Sequence, residues 1–160
     1  MPKIVSRILI STLMVGAIGV YAQTMKSDHW STAELLERAK HLKELAAKGE
    51  GSASETLEKY PHHYTMLAYR QHSGGGELHR NFADVFFVLD GHATVVTGGT
   101  LVDERTTAPG EVRAKSIDGG SRQELKAGDV VHIPAGMPHQ TLVADGESVT
   151  YFVVKVEESR

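Results

Sequence analysis

Four side chains able to bind metal or move protons stand out in the sequence, and they are Glu77, His79, Asp84 and His139. Glu77 and His79 are two positions apart, so on an extended segment both side chains leave the same face. His139 ends the turn 134–139, whose Pro and Gly residues can direct its ring toward the interior. Two imidazoles and two carboxylates suit one divalent ion, which is Zn, Fe, Mn, Ni or Co.

The two carboxylates have alternative roles. Glu77 is either a metal ligand or, if it does not bind the ion, the general base of a reaction. Asp84 shares one face of its predicted strand with Phe86 and Val88, so its carboxylate needs a cation or a hydrogen-bond donor. It binds metal directly, through water, or through another ligand. We expect Phe86 and Val88 to frame a pocket for a small molecule.

Two motifs stand out by their spacing, and they are Gly128-x5-Pro134-x-Gly136-x2-His139 and Glu77-x-His79-x4-Asp84-x6-Gly91. Through these two motifs the sequence resembles the cupin superfamily. The second of these departs from the usual pattern, which has a His in place of Glu77 and a Glu in place of Asp84. The resemblance implies a small antiparallel jelly-roll barrel that holds one divalent metal ion, and a homodimer is compatible with it.

The residues themselves indicate an all-β domain over 61–160. Short runs rich in β-branched and aromatic residues alternate with Gly and Pro turns. The predicted strands are 64–69, 85–89, 93–97, 130–133 and 149–156. Asp90-Gly91 predicts a hairpin turn between the second and third of these strands. Many short strands in one domain favour a sandwich or a closed barrel.

Residues 98–120 predict a long solvated connection, because Gly pairs and charged residues punctuate this segment. One interpretation is a lid at the barrel mouth that carries Arg105 or Arg113 toward an anionic substrate. The alternative is a dimer contact or a tolerated insertion.

An N-terminal extension, residues 23–60, contains one predicted amphipathic helix. Ser31-Thr-Ala-Glu34 has the form of a capping box, and Gly49 fits the helix end. An apolar stripe recurs at helical spacing, and it consists of Leu35, Ala39, Leu42 and Ala46. We expect the stripe to pack on the outside of the barrel or on a second subunit, with docking of another protein as the less favoured alternative.

Residues 1–22 have the pattern of a signal peptide. Lys3 and Arg7 precede the apolar stretch 8–20, and cleavage is expected between Ala22 and Gln23. The apolar stretch is too short to cross a hydrocarbon core of about 30 Å, so no stable membrane anchor is expected. We expect an exported protein, periplasmic or extracellular. The chain has no Cys, which excludes disulfides and thiolate metal ligands.

The charge balance excludes one class of partner. Lys and Arg number 17 against 20 Asp and Glu, with a net charge of −3. No basic stripe is present, so nucleic acid is not an expected partner. The leading hypothesis is a metal-dependent protein acting on a small polar molecule, and the resemblance is compatible with dioxygenase, isomerase or decarboxylase chemistry. The alternative is a non-catalytic barrel that binds a small ligand.

Overall fold

The computed structural model describes residues 27–158, so the predicted signal peptide and its cleavage site at Ala22 and Gln23 lie outside the described residues. One helix and twelve strands occur within this range. Their bounds are α1 Thr32–Lys48, β1 Ser52–Lys59, β2 His63–Arg70, β3 Gly76–His79, β4 Phe82–Thr97, β5 Thr100–Val102, β6 Arg105–Ala108, β7 Glu111–Ala114, β8 Ser116–Asp118, β9 Ser121–Lys126, β10 Val130–Ile133, β11 His139–Leu142 and β12 Val149–Glu157. No helix in the described range is long and apolar enough to cross a membrane.

The strands form a curled antiparallel sheet in the order β1-β2-β12-β4-β11-β3-β7-β6, and β9 and β10 also pair with β4. This architecture confirms the prediction of an antiparallel all-β fold with one N-terminal helix. The apolar core lies on the concave side, where Phe86, Val95, Ile133 and Val153 pack together. β1, which precedes residue 61, pairs with β2 as part of the same sheet.

The predicted hairpin at Asp90-Gly91 is wrong. The two strands expected on either side of it form one continuous strand, β4, that pairs with β12 up to Gly91 and with β9 and β11 after it. Leu89 has no partner in the register with β12, because Val88 pairs with Tyr151 and Asp90 with Thr150. Gly91 has a φ of 80°, and any side chain there would collide with the Ser148 carbonyl. The strand therefore has a β-bulge at Leu89, immediately before the Asp-Gly pair, and bends there.

The segment 98–120 is not an irregular loop, since it contains β5 to β8. β5 pairs with β8 in a two-stranded sheet, whereas β6 and β7 join the main sheet through β3. Arg105 pairs in register with Arg113. Arg113 lies on the strand next to β3 and is thereby brought close to the predicted metal ligands, as the next section describes.

The helix α1 begins as predicted. The Ser31 hydroxyl accepts a hydrogen bond from the Glu34 backbone N–H, and the Glu34 carboxylate accepts one from the Ser31 backbone N–H. The predicted stripe, Leu35, Ala39, Leu42 and Ala46, is buried against the convex face of the sheet. Its partners include Leu67 and Tyr69 of β2 and the bulged Leu89. The helix therefore packs on the outside of this chain's own sheet.

The packing of α1 predicts a contrast between two leucines of the same helix. Leu42 is 2% exposed and Leu45 is 44% exposed. Leu42→Ala should lower the free energy of unfolding by about 2–5 kcal/mol, because it leaves a cavity between helix and sheet. Leu45→Ala should change it by less than about 0.5 kcal/mol. Urea unfolding of both variants measures the difference, and equal losses would contradict the docking of this face.

Candidate metal centre

Three of the predicted metal ligands come from two paired strands. Glu77 and His79 lie two positions apart on β3, and His139 begins β11. His139 pairs in register with Glu77, so the backbone hydrogen bonds of the sheet bring these residues together across 62 positions of sequence. All three line a cavity of about 440 Å³ on the concave side of the sheet.

Both histidines are held in one orientation by bonds to Nδ1. The Nδ1 of His79 lies 2.6 Å from a Glu111 carboxylate oxygen, and the Nδ1 of His139 lies 3.1 Å from the Met137 carbonyl oxygen. Carboxylate and carbonyl oxygens accept hydrogen bonds, so each Nδ1 carries the proton and each Nε2 keeps a lone pair. A hydrogen bond from the other ring nitrogen is how proteins orient metal-binding imidazoles.

The Nε2 atoms of the two histidines and the Glu77 carboxylate lie close together. One ligand atom each from Glu77, His79 and His139 lie within 4.8 Å of one another. The Nε2 of His79 is buried and has no hydrogen-bond partner among the described residues. An unpaired buried acceptor is unfavourable unless something binds it. Two imidazole nitrogens and one carboxylate oxygen are donors that fit Zn²⁺ or Fe²⁺, so the group present fits a divalent ion.

The electrostatics of the site favour the ionised form of Glu77 and the neutral form of His139. Burial raises the pKa of Glu77, but contact with His79 and the charges of Arg113 and Arg70 outweigh it and hold the pKa well below its usual range. Burial lowers the pKa of His139, against the opposing charges of Asp84 and Glu77. An ionised carboxylate and a neutral imidazole are the forms that bind metal.

Asp84 is outside this group of three. Its carboxylate oxygens lie 2.7 and 2.8 Å from the Nζ of Lys155, which is its direct partner across the β4–β12 register. The same carboxylate lies 3.5 Å from the Nε2 atoms of both His79 and His139. The cation that this buried carboxylate needs is thus an ammonium group of the protein itself. Asp84 therefore lies beside the two imidazoles as half of an ion pair.

Several solved structures resemble this chain in fold. The structure matches the cupin domain of Cnp3 from Schizosaccharomyces pombe with a TM-score of 0.50 and 13% identity, over 67% of this chain and 61% of that one. It matches TT1209 from Thermus thermophilus with a TM-score of 0.50 and 16% identity, over 69% of this chain and 87% of that one. The chain has the cupin fold. The sequence resemblance to cupins is thereby confirmed at the level of architecture.

A further match is the DMSP lyase DddQ from Ruegeria pomeroyi DSS-3, with a TM-score of 0.49 and 17% identity over 67% of this chain. This chain spans 47% of the DddQ structure and 61% of the Cnp3 structure, so it covers only part of these two proteins. No protein-family model matches the sequence, and no curated protein matches it either.

The cupin cavity contains residues that the motifs did not identify. Phe86 lines the cavity as predicted, whereas Val88 belongs to the apolar core and is not part of the cavity wall. The further polar lining residues include Arg70, Glu111, Arg113, Tyr151 and Lys155. Lys155 had a sequence signal, because it follows Tyr151 and Val153 on the same face of an otherwise apolar strand. Glu111 had none, since it lies in the segment expected to be a loop.

The buried Asp84–Lys155 pair predicts that loss of Lys155 lowers the stability strongly, and that replacing Asp84 as well restores part of it. In chelator-treated protein, Lys155→Met should lower the free energy of unfolding by about 3–5 kcal/mol, because it leaves a buried carboxylate without its cation. The double variant Asp84→Leu/Lys155→Met should be more stable than Lys155→Met alone, since no uncompensated charge remains. Urea unfolding of the two variants and the wild type provides the comparison. A double variant less stable than Lys155→Met would contradict this account of the pair.

Proposed function

We propose that this chain binds one divalent metal ion through Glu77, His79 and His139 and acts on a small polar molecule in the cupin cavity. The observation that carries the proposal is the convergence of two Nε2 lone pairs and one carboxylate in a buried site. Both imidazoles are already oriented through Nδ1, which is the arrangement expected of metal ligands.

The low pKa of Glu77 favours its role as ligand over its role as general base. A base works best when its pKa lies near the working pH, and that of Glu77 is held far below it. Its second contact supports the same role, because Arg70 donates a hydrogen bond to the carboxylate at 3.1 Å and fixes its position. Arg70 is held in turn by the Tyr151 hydroxyl, which accepts a hydrogen bond at 3.1 Å from its Nε.

Three protein ligands leave coordination positions open for a substrate or water. A bound divalent ion supplies Lewis-acid polarisation of a substrate oxygen at such a position. Two His and one carboxylate are also the donor set of non-haem Fe(II) oxygenases, which makes Fe(II) the first ion to test. Dioxygenase, isomerase and decarboxylase chemistry each remain compatible with this set.

The second candidate function is binding of a small ligand without catalysis. The pairing of Asp84 with Lys155 favours it, because this carboxylate is occupied by an ammonium group. The cavity of about 440 Å³ also has an apolar wall that includes Met66, Phe86 and Val153. Such a wall beside a few fixed polar groups is typical of small-molecule sites. Turnover of candidate substrates by metal-loaded protein separates the two functions.

Metal content tests the proposed function directly. Protein purified without chelator should contain close to one divalent ion per chain by elemental analysis, and His79→Ala or His139→Ala should lose it, because each removes one of three ligands. His132→Ala is the matched control, since His132 is exposed on β10 and does not line the cavity. Wild-type protein that stays metal-free after incubation with Fe(II), Zn²⁺ and Co²⁺ would contradict the proposal.

We also propose that the protein is exported, because residues 1–22 combine the charges of Lys3 and Arg7 with a short apolar stretch. Expression of the full chain in a bacterium with a general secretion pathway should release a mature form that begins at Gln23. N-terminal sequencing of the purified protein measures the cleavage site. A protein that keeps residues 1–22 and stays in the cytoplasm would contradict export.

A further inference from the structure

The cavity is lined by equal numbers of cationic side chains and carboxylates. Three cationic side chains line it, and they are Arg70, Arg113 and Lys155. Three carboxylates line it as well, and they are Glu77, Asp84 and Glu111. Imidazoles that bind metal are neutral. The formal charges of the protein groups around the cavity therefore cancel before any ion binds.

Each carboxylate is matched to its own cation. Arg70 contacts Glu77 at 3.1 Å and Lys155 contacts Asp84 at 2.7 Å. Arg113 contacts Glu111 at 3.3 Å. A divalent ion at the proposed site therefore adds two positive charges. Among the described residues, no carboxylate in the cavity remains unpaired to neutralise them. In a partly buried cavity such charges attract an anion much more strongly than they do in water.

Arg113 is the most exposed cation of this set, and one edge of its guanidinium is free to donate to a ligand. Its contacts with Glu77, Glu111 and the Val112 carbonyl are all made by Nη1. No partner for its Nε or Nη2 occurs within residues 27–158. Its side chain is 38% exposed, against 18% for Arg70 and 10% for Lys155. A guanidinium with free N–H groups on one edge is suited to a carboxylate.

We infer that the cavity takes a small organic anion with carboxylate groups, and that Arg113 is the residue that positions it. The inference rests on the proposed metal site, because the ion supplies the charge that the anion neutralises. A neutral ligand of the same size would leave that charge in place. It would also leave the free edge of Arg113 without an ionic partner. The apolar wall at Phe86 is available to the carbon skeleton of the ligand.

The test uses the complete mature protein loaded with Co²⁺, which is chosen because it is less readily oxidised than Fe(II). Isothermal titration calorimetry compares its affinity for malonate with that for the neutral isostere malonamide. Malonate should bind at least about ten-fold more tightly than malonamide, a ratio typical of one charged hydrogen bond. Chelator-treated protein should lose most of this preference, since the protein charges alone cancel. Arg113→Gln should weaken malonate binding about ten-fold or more and leave malonamide unchanged, and Arg113→Lys should fall between Arg113→Gln and the wild type.

Arg122→Gln is the control for net charge, because Arg122 is exposed on β9 and does not line the cavity. It should bind malonate like the wild type. Metal content is measured first for every variant, so that failure to bind Co²⁺ in the wild type counts against the proposed function. In Co²⁺-loaded protein, equal affinity for malonate and malonamide would overturn the inference alone. Unchanged malonate affinity in metal-loaded Arg113→Gln would overturn the role of Arg113.

Discussion

The bend in β4 is the constraint on which the rest of the structure depends. One strand pairs with β10 and β12 up to Gly91 and with β9 and β11 from His92 onward, so both halves of the curled sheet share a single backbone. The first half carries Asp84 and Phe86 into the cavity, and the second half holds β11, which begins at His139. The unpaired Leu89 at the bulge points to the opposite side and contacts the helix cluster. The extra residue Leu89 thus bends the strand that lines the cavity and also packs against the helix.

Charge compensation is the second organising feature. The cavity collects three carboxylates in a small, partly buried space, which is unfavourable unless each finds a cation. The fold supplies those cations, with Lys155 directly across from Asp84 in the sheet, Arg70 in contact with Glu77, and Arg113 in contact with Glu111. In the proposed metal site, the charges of the surrounding carboxylates and cations cancel, so a bound divalent ion would keep its own charge. This arrangement connects the fold to the proposed preference for an anion.

Local patterns in the sequence predicted the local structure well. The capping box and apolar spacing of α1 were confirmed because helix ends and amphipathic faces depend on residues three or four positions apart. The predicted strand 130–133 coincides with β10, and 149–156 falls within β12. Asp90-Gly91 was misinterpreted, since a glycine with positive φ serves a bulge as readily as a hairpin turn. Short, polar strands in 98–120 gave no alternation strong enough to distinguish them from loops.

The sequence by itself determined the helix, most of the long strands, the two motifs and the residues Glu77, His79 and His139, because spacing along the chain carries that information. Only the tertiary structure decided that Asp84 binds Lys155, 71 positions away, and that Glu111 orients His79 from 32 positions away. Such partners depend on strand register, and the register is set by the packing of the whole sheet rather than by the residues near each partner. The proposed metal ligands were therefore visible in the sequence, whereas the charge balance of the cavity, and with it the proposed class of ligand, was not.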